Sequence, residues 1–551
     1  MKRMALARKI IWHIHLAVLV AILIILPDHL FHWLQANYLI HFYREAFAVS
    51  WFLGVLLLAL RHPVTALLFI GLVSFMQLAQ FLHFAYFGTL ISPHEASFLF
   101  EEWEEIQQTL IAVVPYMAVP LLLVLTTSGF LYWIWIKSRA VTVQFPLAGF
   151  LLLLLLAYLP YRAYLSPKSQ IFYPSPSAYS IRNTWMVTAY YLGHTLRGKD
   201  RKERVTFKPY QVEKLALEEL PTVVVVMGES LTYQHMSLFG YERPTTPNLD
   251  RLKVDPQFVY QRAIASGVFT KVSLPAFFNI QREPGNISHL TRYESNLLKL
   301  AKERGMATYF ISAQNPNLMT YSGTEYADYF VTKQDVPDQY ERLKDDMLLE
   351  HLATIDLTHP SFIVLHQRNS HSPYEQAYPS RFEKYPIHET NRDNYTRNSY
   401  DNSIGYTDYL LTAILQHIQQ KTHRPTYLIF TSDHGEMMGE GGKYGHGLLE
   451  PDILRVPFLF YGIGSETQAA VAKARELETP THYEIGKFLA ELIGYRIHNP
   501  NERDGLFYGN GPDLDGSMGC LPLVKSLADP HGWHLVEDPL CPREAGRAAK
   551  G

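Results

Sequence analysis

Apolar residues follow two regimes along this chain. Before Leu159 they form long unbroken runs; after Pro221 they form short runs set between polar turns and helically spaced stretches. The runs Ile10–Leu26, Ala46–Leu60, Val64–Phe87, Leu110–Ile136 and Phe145–Leu159 predict five membrane-crossing helices, because about 20 apolar residues cover the hydrocarbon core. The second and fifth are short and need their flanking aromatics to reach across. A cleaved signal peptide does not explain the first run, since further runs follow and no small-residue cleavage site is evident. Basic residues set the orientation. They cluster in Met1–Lys9, at Arg61 after the second run, and at Lys137 and Arg139 after the fourth. Those points face the cytoplasm and the acidic loop Ser92–Gln108 faces away. An odd number of spans then leaves everything after Leu159 outside the cytoplasm, most simply in the periplasm.

Residues 1–160 therefore read as a transmembrane domain and 221–551 as an extracytoplasmic one. The stretch 161–220 between them holds several prolines, the segment Tyr179–Gly198 and the charged string Lys199–Arg204. This is expected to be a linker with one amphipathic helix, lying along the membrane surface or packed on the soluble domain. Beyond it, Val223–Met227, Ala307–Ser312, Ser361–His366, Thr426–Ser432 and Val456–Gly462 have the β-branched and aromatic character of strands. Helical spacing recurs between them, as in Glu294–Gly305, which ends on a capping glycine. Such alternation predicts an α/β domain with a mostly parallel sheet covered by helices.

The 551 residues are too many for one ordinary domain, and a net charge of -3 with no basic stripe excludes a nucleic-acid partner. The two cysteines, Cys520 and Cys541, stand either as free thiols or as an export-compatible disulfide, which would be worth about 3 kcal/mol.

The chemistry collects where the strand candidates end. Val223–Ser230 and Phe430–Glu436 are apolar runs that break off into acids and a histidine, and the carboxyl ends of parallel strands are where such sheets bind ligands. Glu229, Asp433 and His434 offer two carboxylates and an imidazole, a set suited to zinc rather than to the all-oxygen sites of magnesium or calcium. His366 falls at a third strand end and is expected to support the site from behind. The stretch Ala265–Phe278 follows a further expected strand, is rich in small and hydroxyl residues, and supplies two candidate nucleophiles, Thr270 and, as a fallback, Ser273. His235 and Tyr241 are expected to pack around the first motif.

With these strings in order, the chain resembles the alkaline-phosphatase-like metalloenzymes, specifically the membrane-bound phosphoethanolamine transferases of Gram-negative envelopes. The resemblance runs through GES, Leu238–Asp250, the nucleophile segment Ser266–Pro275, His366–His371, Tyr400–Asp408, Ser432–Glu436 and the Gly-His-Gly string at His446. It implies an N-terminal five-helix transmembrane bundle in the bacterial inner membrane and an alkaline-phosphatase-like α/β domain in the periplasm. It implies metal ligation by Glu229, Thr270, Asp433 and His434, with one tightly held zinc and room for a second. Thr270 becomes the nucleophile, and His371 and His446 line the donor headgroup or the second zinc. The implied donor is phosphatidylethanolamine, and the implied acceptor is lipopolysaccharide, at core heptose or lipid A. The GES and Ser237–Pro247 strings lean towards the core-modifying branch, as does the absence of cysteine at Gly267 and Ala276. Glu101 and Glu105 in the acidic loop are candidate contacts for the donor ammonium, with Trp103 adding a cation–π contact. A monomer is expected.

Two other readings compete. A phosphoglycerol transferase of the lipoteichoic-acid-synthase type shares the spans, the threonine and the metal. A non-catalytic membrane sensor would keep the fold without the chemistry, and the joint presence of Glu229, Thr270, Asp433 and His434 argues against it. Sulfatase chemistry needs a cysteine or serine in a C/S-x-P-S-R string, and neither cysteine lies in one.

Overall fold

The computed structural model describes residues 2–36, 40, 42, 44–92, 95–96, 103–144, 148–165, 179–197, 206–387, 391–503, 505–516, 518–526, 529 and 531–541. They form two compact units, Met1–Arg201 with Gly442–Tyr444, and Lys202–Gly441 with Gly445–Gly551.

The first unit is helical: α1 (Lys2–Ala36), α2 (Arg44–Ala59), α3 (Pro63–Phe87), α4 (Trp103–Ala112), α5 (Ala118–Ser138), α6 (Ala148–Leu165) and α7 (Ser180–Arg197). Among the described residues three helical stretches are long and apolar enough to cross a membrane: Leu6–Gln35, Pro63–Phe87 and Ala118–Ser138. The 16 residues of α2 rise only about 24 Å, short of the roughly 30 Å hydrocarbon core. The run expected as one helix over Leu110–Ile136 is divided in the structure. Pro115 sits in a 3-10 turn, Val114–Tyr116, between α4 and α5, where its missing amide hydrogen and its ring disfavour an unbroken α-helix.

Polar side chains pin these helices together, as they must where water is scarce. Gln77 donates to the Ile24 carbonyl at 2.8 Å, and Thr184 to that of Met76 at 2.9 Å. The Asp28 carboxylate accepts from the first amide of α7, Ser180 N, at 2.8 Å. The helix expected in the linker thus forms as α7, with Ile181, Val187, Ala189 and Tyr190 buried within this unit.

The second unit is built on a seven-stranded sheet. Its strands are β1 (Thr222–Gly228), β2 (Phe258–Ile264), β3 (Ala307–Ser312), β4 (Tyr329–Thr332), β5 (Ser361–His366), β6 (Thr426–Ser432) and β7 (Arg455–Ile463). The spatial order is β2-β7-β6-β1-β5-β3-β4. Every pair is parallel except those made by β7, which runs against both β6 and β2. All five strands expected with bounds from the sequence are present. Of the two edge strands, β2 is the strand expected just before Ala265, although Tyr260, Gln261 and Arg262 at its centre are exposed or half-exposed, and β4, four residues long, escapes that reading.

The central strand β1 is buried on both faces, which is why it reads as an uninterrupted apolar run. Val223, Val225 and Met227 join one core with Phe277 and Phe278 of α8 (Thr270–Phe278). Val224 and Val226 join the other with Ile404, Ile414 and Ile418 of α9 (Arg392–Lys421). Later in the chain, α10 (His482–Leu492) returns to the first of these cores. A three-stranded sheet, Leu506–Asn510, Cys520–Lys525 and Trp533–Leu535, ends the described chain. Cys520 and Cys541 are joined as a disulfide there.

Candidate metal centre and active site

Two strand ends and one helix start meet at a single point. Glu229 follows the last residue of β1, and Asp433 and His434 follow β6. Thr270 is the first residue of α8, where the helix dipole favours negative charge on its oxygen. All four are at most 3% exposed. The Thr270 hydroxyl lies 3.3 Å from each oxygen of Glu229 and 3.2 Å from His434 Nε2. Ligand atoms of Glu229, Asp433 and His434 all fall within 4.8 Å of one another.

The tautomer of His434 decides what this cluster can hold. Its Nδ1 lies 2.9 Å from the Gly435 carbonyl, which can only accept, so the ring proton belongs on Nδ1. Burial lowers the imidazole pKa, outweighing the raising effect of Asp433. The ring is neutral, and its Nε2 lone pair faces Glu229 Oε1 at 3.6 Å and Asp433 Oδ2 at 3.2 Å. A lone pair set against two carboxylates in a buried site is repulsive unless a cation lies between them. Burial would raise the Asp433 pKa, but hydrogen bonds to its carboxylate oppose this and it lies below the ordinary value. Its Oδ1 accepts from the amides of Ser230 and His434, while Oδ2 is buried with no hydrogen-bond partner. Two carboxylates, an imidazole nitrogen and a hydroxyl fit zinc.

Local sequence explains how these groups are presented. Gly435 has no side chain because a Cβ there would come within 2.8 Å of the Arg455 carbonyl, and its amide donates to Ile453 O. Ser230 adopts φ +53, a left-handed conformation costly for a residue with a side chain. Tyr400 of α9 holds it there, its hydroxyl donating to Ser230 O at 2.7 Å and accepting from Thr232 N. Ser230 Oγ in turn donates to Glu229 Oε1 at 2.8 Å. The string Tyr400–Asp408 is thus a brace for the loops after β1. Asp401 binds His235, Tyr241 and Arg243, while Asp408 accepts from the amides of Asn248 and Leu249.

His446 stands beside the cluster, its ring 4.4 Å from that of His434 and 5.5 Å from that of His371. Its Nδ1 is 2.8 Å from Glu436 Oε2, and Glu436 Oε1 accepts from the Tyr374 hydroxyl at 2.6 Å. His434, Glu436 and His446 make a second group able to hold a cation. Ser273 is buried and donates to the Asp433 carbonyl, so its hydroxyl faces away from the reactive cluster. His366 is buried behind the cluster with Nδ1 on Ser312 Oγ, and burial pushes its pKa down to about 4. Glu101 lies outside the described residues, as does the side chain of Glu105.

Sequence reasoning passed over three residues here: Glu436, Tyr374 and Gln314. Glu436 stood inside the Ser432–Glu436 string and could have been taken with its neighbours. Gln314 lies two residues past the end of β3, a strand end like the others, but an amide carries no ligand signal. Tyr374 gave none.

Residues 221–495 match the sulfatase family. Over 57% of the chain and 54% of the relative, it is 29% identical to the Kdo(2)-lipid A phosphoethanolamine 7''-transferase of Salmonella typhimurium. It is 30% identical to the phosphoethanolamine transferase EptA of the same organism, over 43% of the chain and 46% of the relative. The chain spans about half the length of the curated relatives it matches. The structure also resembles the integral membrane protein lipooligosaccharide phosphoethanolamine transferase A from Neisseria meningitidis, with a TM-score of 0.57 and 18% identity. That likeness covers 87% of this chain and 95% of the other, and it concerns the fold. Residues 221–495 thus match the sulfatase family, behind N-terminal helices apolar enough to cross a membrane, and the two curated relatives described are named phosphoethanolamine transferases.

Proposed function

We propose that the protein is a zinc-dependent phosphoethanolamine transferase of the bacterial inner membrane, with five spans and its catalytic domain in the periplasm. It moves phosphoethanolamine from phosphatidylethanolamine to a lipopolysaccharide glycolipid, at lipid A or core heptose. The observation that carries this reading is the Thr270 hydroxyl, placed at a helix N-terminus within 3.3 Å of both Glu229 and His434 in a cluster that calls for a cation. The names of the sulfatase-family relatives supply the transferred group.

Glu229, Asp433, His434 and Thr270 would hold the zinc. When bound, it would lower the Thr270 hydroxyl pKa and offset charge on the phosphoryl oxygens. Thr270 Oγ1, its proton released to solvent, forms a bond to the donor phosphorus, and the bond from phosphorus to the diacylglycerol oxygen breaks. That oxygen leaves with a proton held at His446 or His371. An acceptor hydroxyl or phosphate then attacks the phosphothreonine ester, surrendering any proton to the same imidazoles, and Thr270 is regenerated. Glu436 keeps the Nδ1 proton of His446 in place, so Nε2 is the atom that handles protons. Glu101 and Glu105 would face the donor ammonium. Anchoring the site at the bilayer raises the effective concentration of a lipid donor.

The test is intact mass of the zinc-loaded full-length chain after incubation with phosphatidylethanolamine. A phosphoethanolamine adduct on wild type, absent from Thr270→Ala, is expected. An adduct of phosphoglycerol from phosphatidylglycerol would instead mark the competing transferase family, and no adduct from either lipid would overturn the covalent mechanism.

A further inference from the structure

Glu229 is held at both oxygens by donors beyond the Thr270 hydroxyl. Ser230, next to it in sequence, donates to Oε1. Gln314, 85 residues further along the chain, donates from Nε2 to Glu229 Oε2 at 2.8 Å. Gln314 is fully buried. Its Nε2 also reaches the Gln367 carbonyl at 3.2 Å, and its Oε1 accepts from Arg368 Nη1 at 3.0 Å. The amide has only one orientation compatible with these partners. A guanidinium can only donate and an ionised carboxylate can only accept, so Oε1 must face Arg368 and Nε2 must face Glu229.

We infer that Gln314 is a positioning residue for the metal site, relaying the fixed guanidinium of Arg368 onto Glu229 so that the carboxylate is presented in one orientation. This rests on the reading that Glu229 ligates zinc. The physical reasons favour glutamine over its neighbours in chemistry. Asparagine is one methylene shorter and cannot keep both ends of the relay. Glutamate would set a second negative charge against Glu229. An apolar side chain would leave a buried carboxylate oxygen and a buried guanidinium nitrogen each without this partner. A carboxylate free to rotate presents its lone pairs to the ion less often. Loss of such an outer hydrogen bond typically weakens metal binding about 10- to 100-fold.

The experiment is a zinc competition titration against a chelator on the full-length protein, comparing wild type, Glu229→Gln and Gln314→Met. Methionine keeps the length and flexibility of glutamine without its polar ends. Thermal melts of the zinc-stripped proteins run alongside. Gln314→Met is expected to bind zinc about 10- to 100-fold more weakly while the melting midpoint of the stripped protein stays close to wild type. Should Gln314→Met not fold, Gln314→Asn carries the test, with weakened zinc binding expected there too. Zinc affinity equal to wild type in a folded Gln314 variant, with Glu229→Gln clearly weakened, overturns this inference alone. Zinc binding that Glu229→Gln leaves unchanged overturns the metal reading of Glu229, and this inference with it.

Discussion

At the scale of single residues, the site gains its chemistry from atoms whose protonation is forced by what they touch. His434 is neutral with a bare Nε2 because its Nδ1 faces a carbonyl. His446 is treated the same way by a charged partner, Glu436, itself fixed by Tyr374. If His446 moves the proton at the leaving oxygen, its tautomer matters as much as its presence. Glu436→Gln preserves shape but can offer an amide N–H to Nδ1, which flips the ring proton to the wrong nitrogen. Transfer is expected to slow by about 10²- to 10⁴-fold, the span attributed to a positioned acid–base group, while adduct formation still requires Thr270. Single-turnover rates of donor cleavage check this, and a variant within a few-fold of wild type would remove His446 from proton transfer.

At the scale of elements, the buried parts of the domain were legible in the sequence with their bounds and the edges were not. Strands β1, β3, β5 and β6 show as apolar runs because both faces are covered, and their ends announce Glu229, His366 and Asp433 by the abrupt change of character. Strand β2 was expected before Ala265 but without bounds, because Tyr260 and Arg262 face outward on an edge and break its apolar run. The split between α4 and α5 was written in Pro115, yet the apolar residues around it dominate any window of 20. Gln314 was illegible for a different reason: its role depends on Arg368 and Glu229, which meet it only in the fold. The C-terminal sheet is small and leans on its disulfide, which closes a 21-residue separation between Cys520 and Cys541. Removing it with Cys541→Ala is expected to cost about 3 kcal/mol. The loss should fall on Leu506–Cys541, where amide hydrogen exchange accelerates while β1 and β6 keep their protection. Equal acceleration in the central strands would show that the two sheets unfold together.

At the scale of the whole molecule, the extracytoplasmic reading exposes the domain to whatever pH lies outside, and three buried histidines make that consequential. Burial lowers His289 and His366 to about 4 and His482 to about 3, with hydrogen bonds or nearby charges offsetting only part of the shift. In the unfolded chain each titrates near 6.5. Above that value both states carry neutral rings and the histidines do not bias folding. As pH falls from 6.5 towards 4, the unfolded chain takes up protons that the folded domain refuses, so stability drops by up to about 1.4 kcal/mol per pH unit for each ring. All three lie near the carboxyl end of the sheet or the helices beside it: His366 ends β5, His482 opens α10, and His289 binds the Asn279 carbonyl just past α8. Acid therefore acts first on the scaffold that presents Thr270 and its partners. Thermal midpoints of the full-length protein should hold steady between pH 8 and 6.5 and fall progressively below. His289→Gln keeps a hydrogen-bonding side chain without a titrating ring, and should make that descent shallower by the share of one proton. A midpoint that stays flat from pH 7 to 5 would mean these rings are hydrated in the native state, and the tight burial around α8 would have to be abandoned.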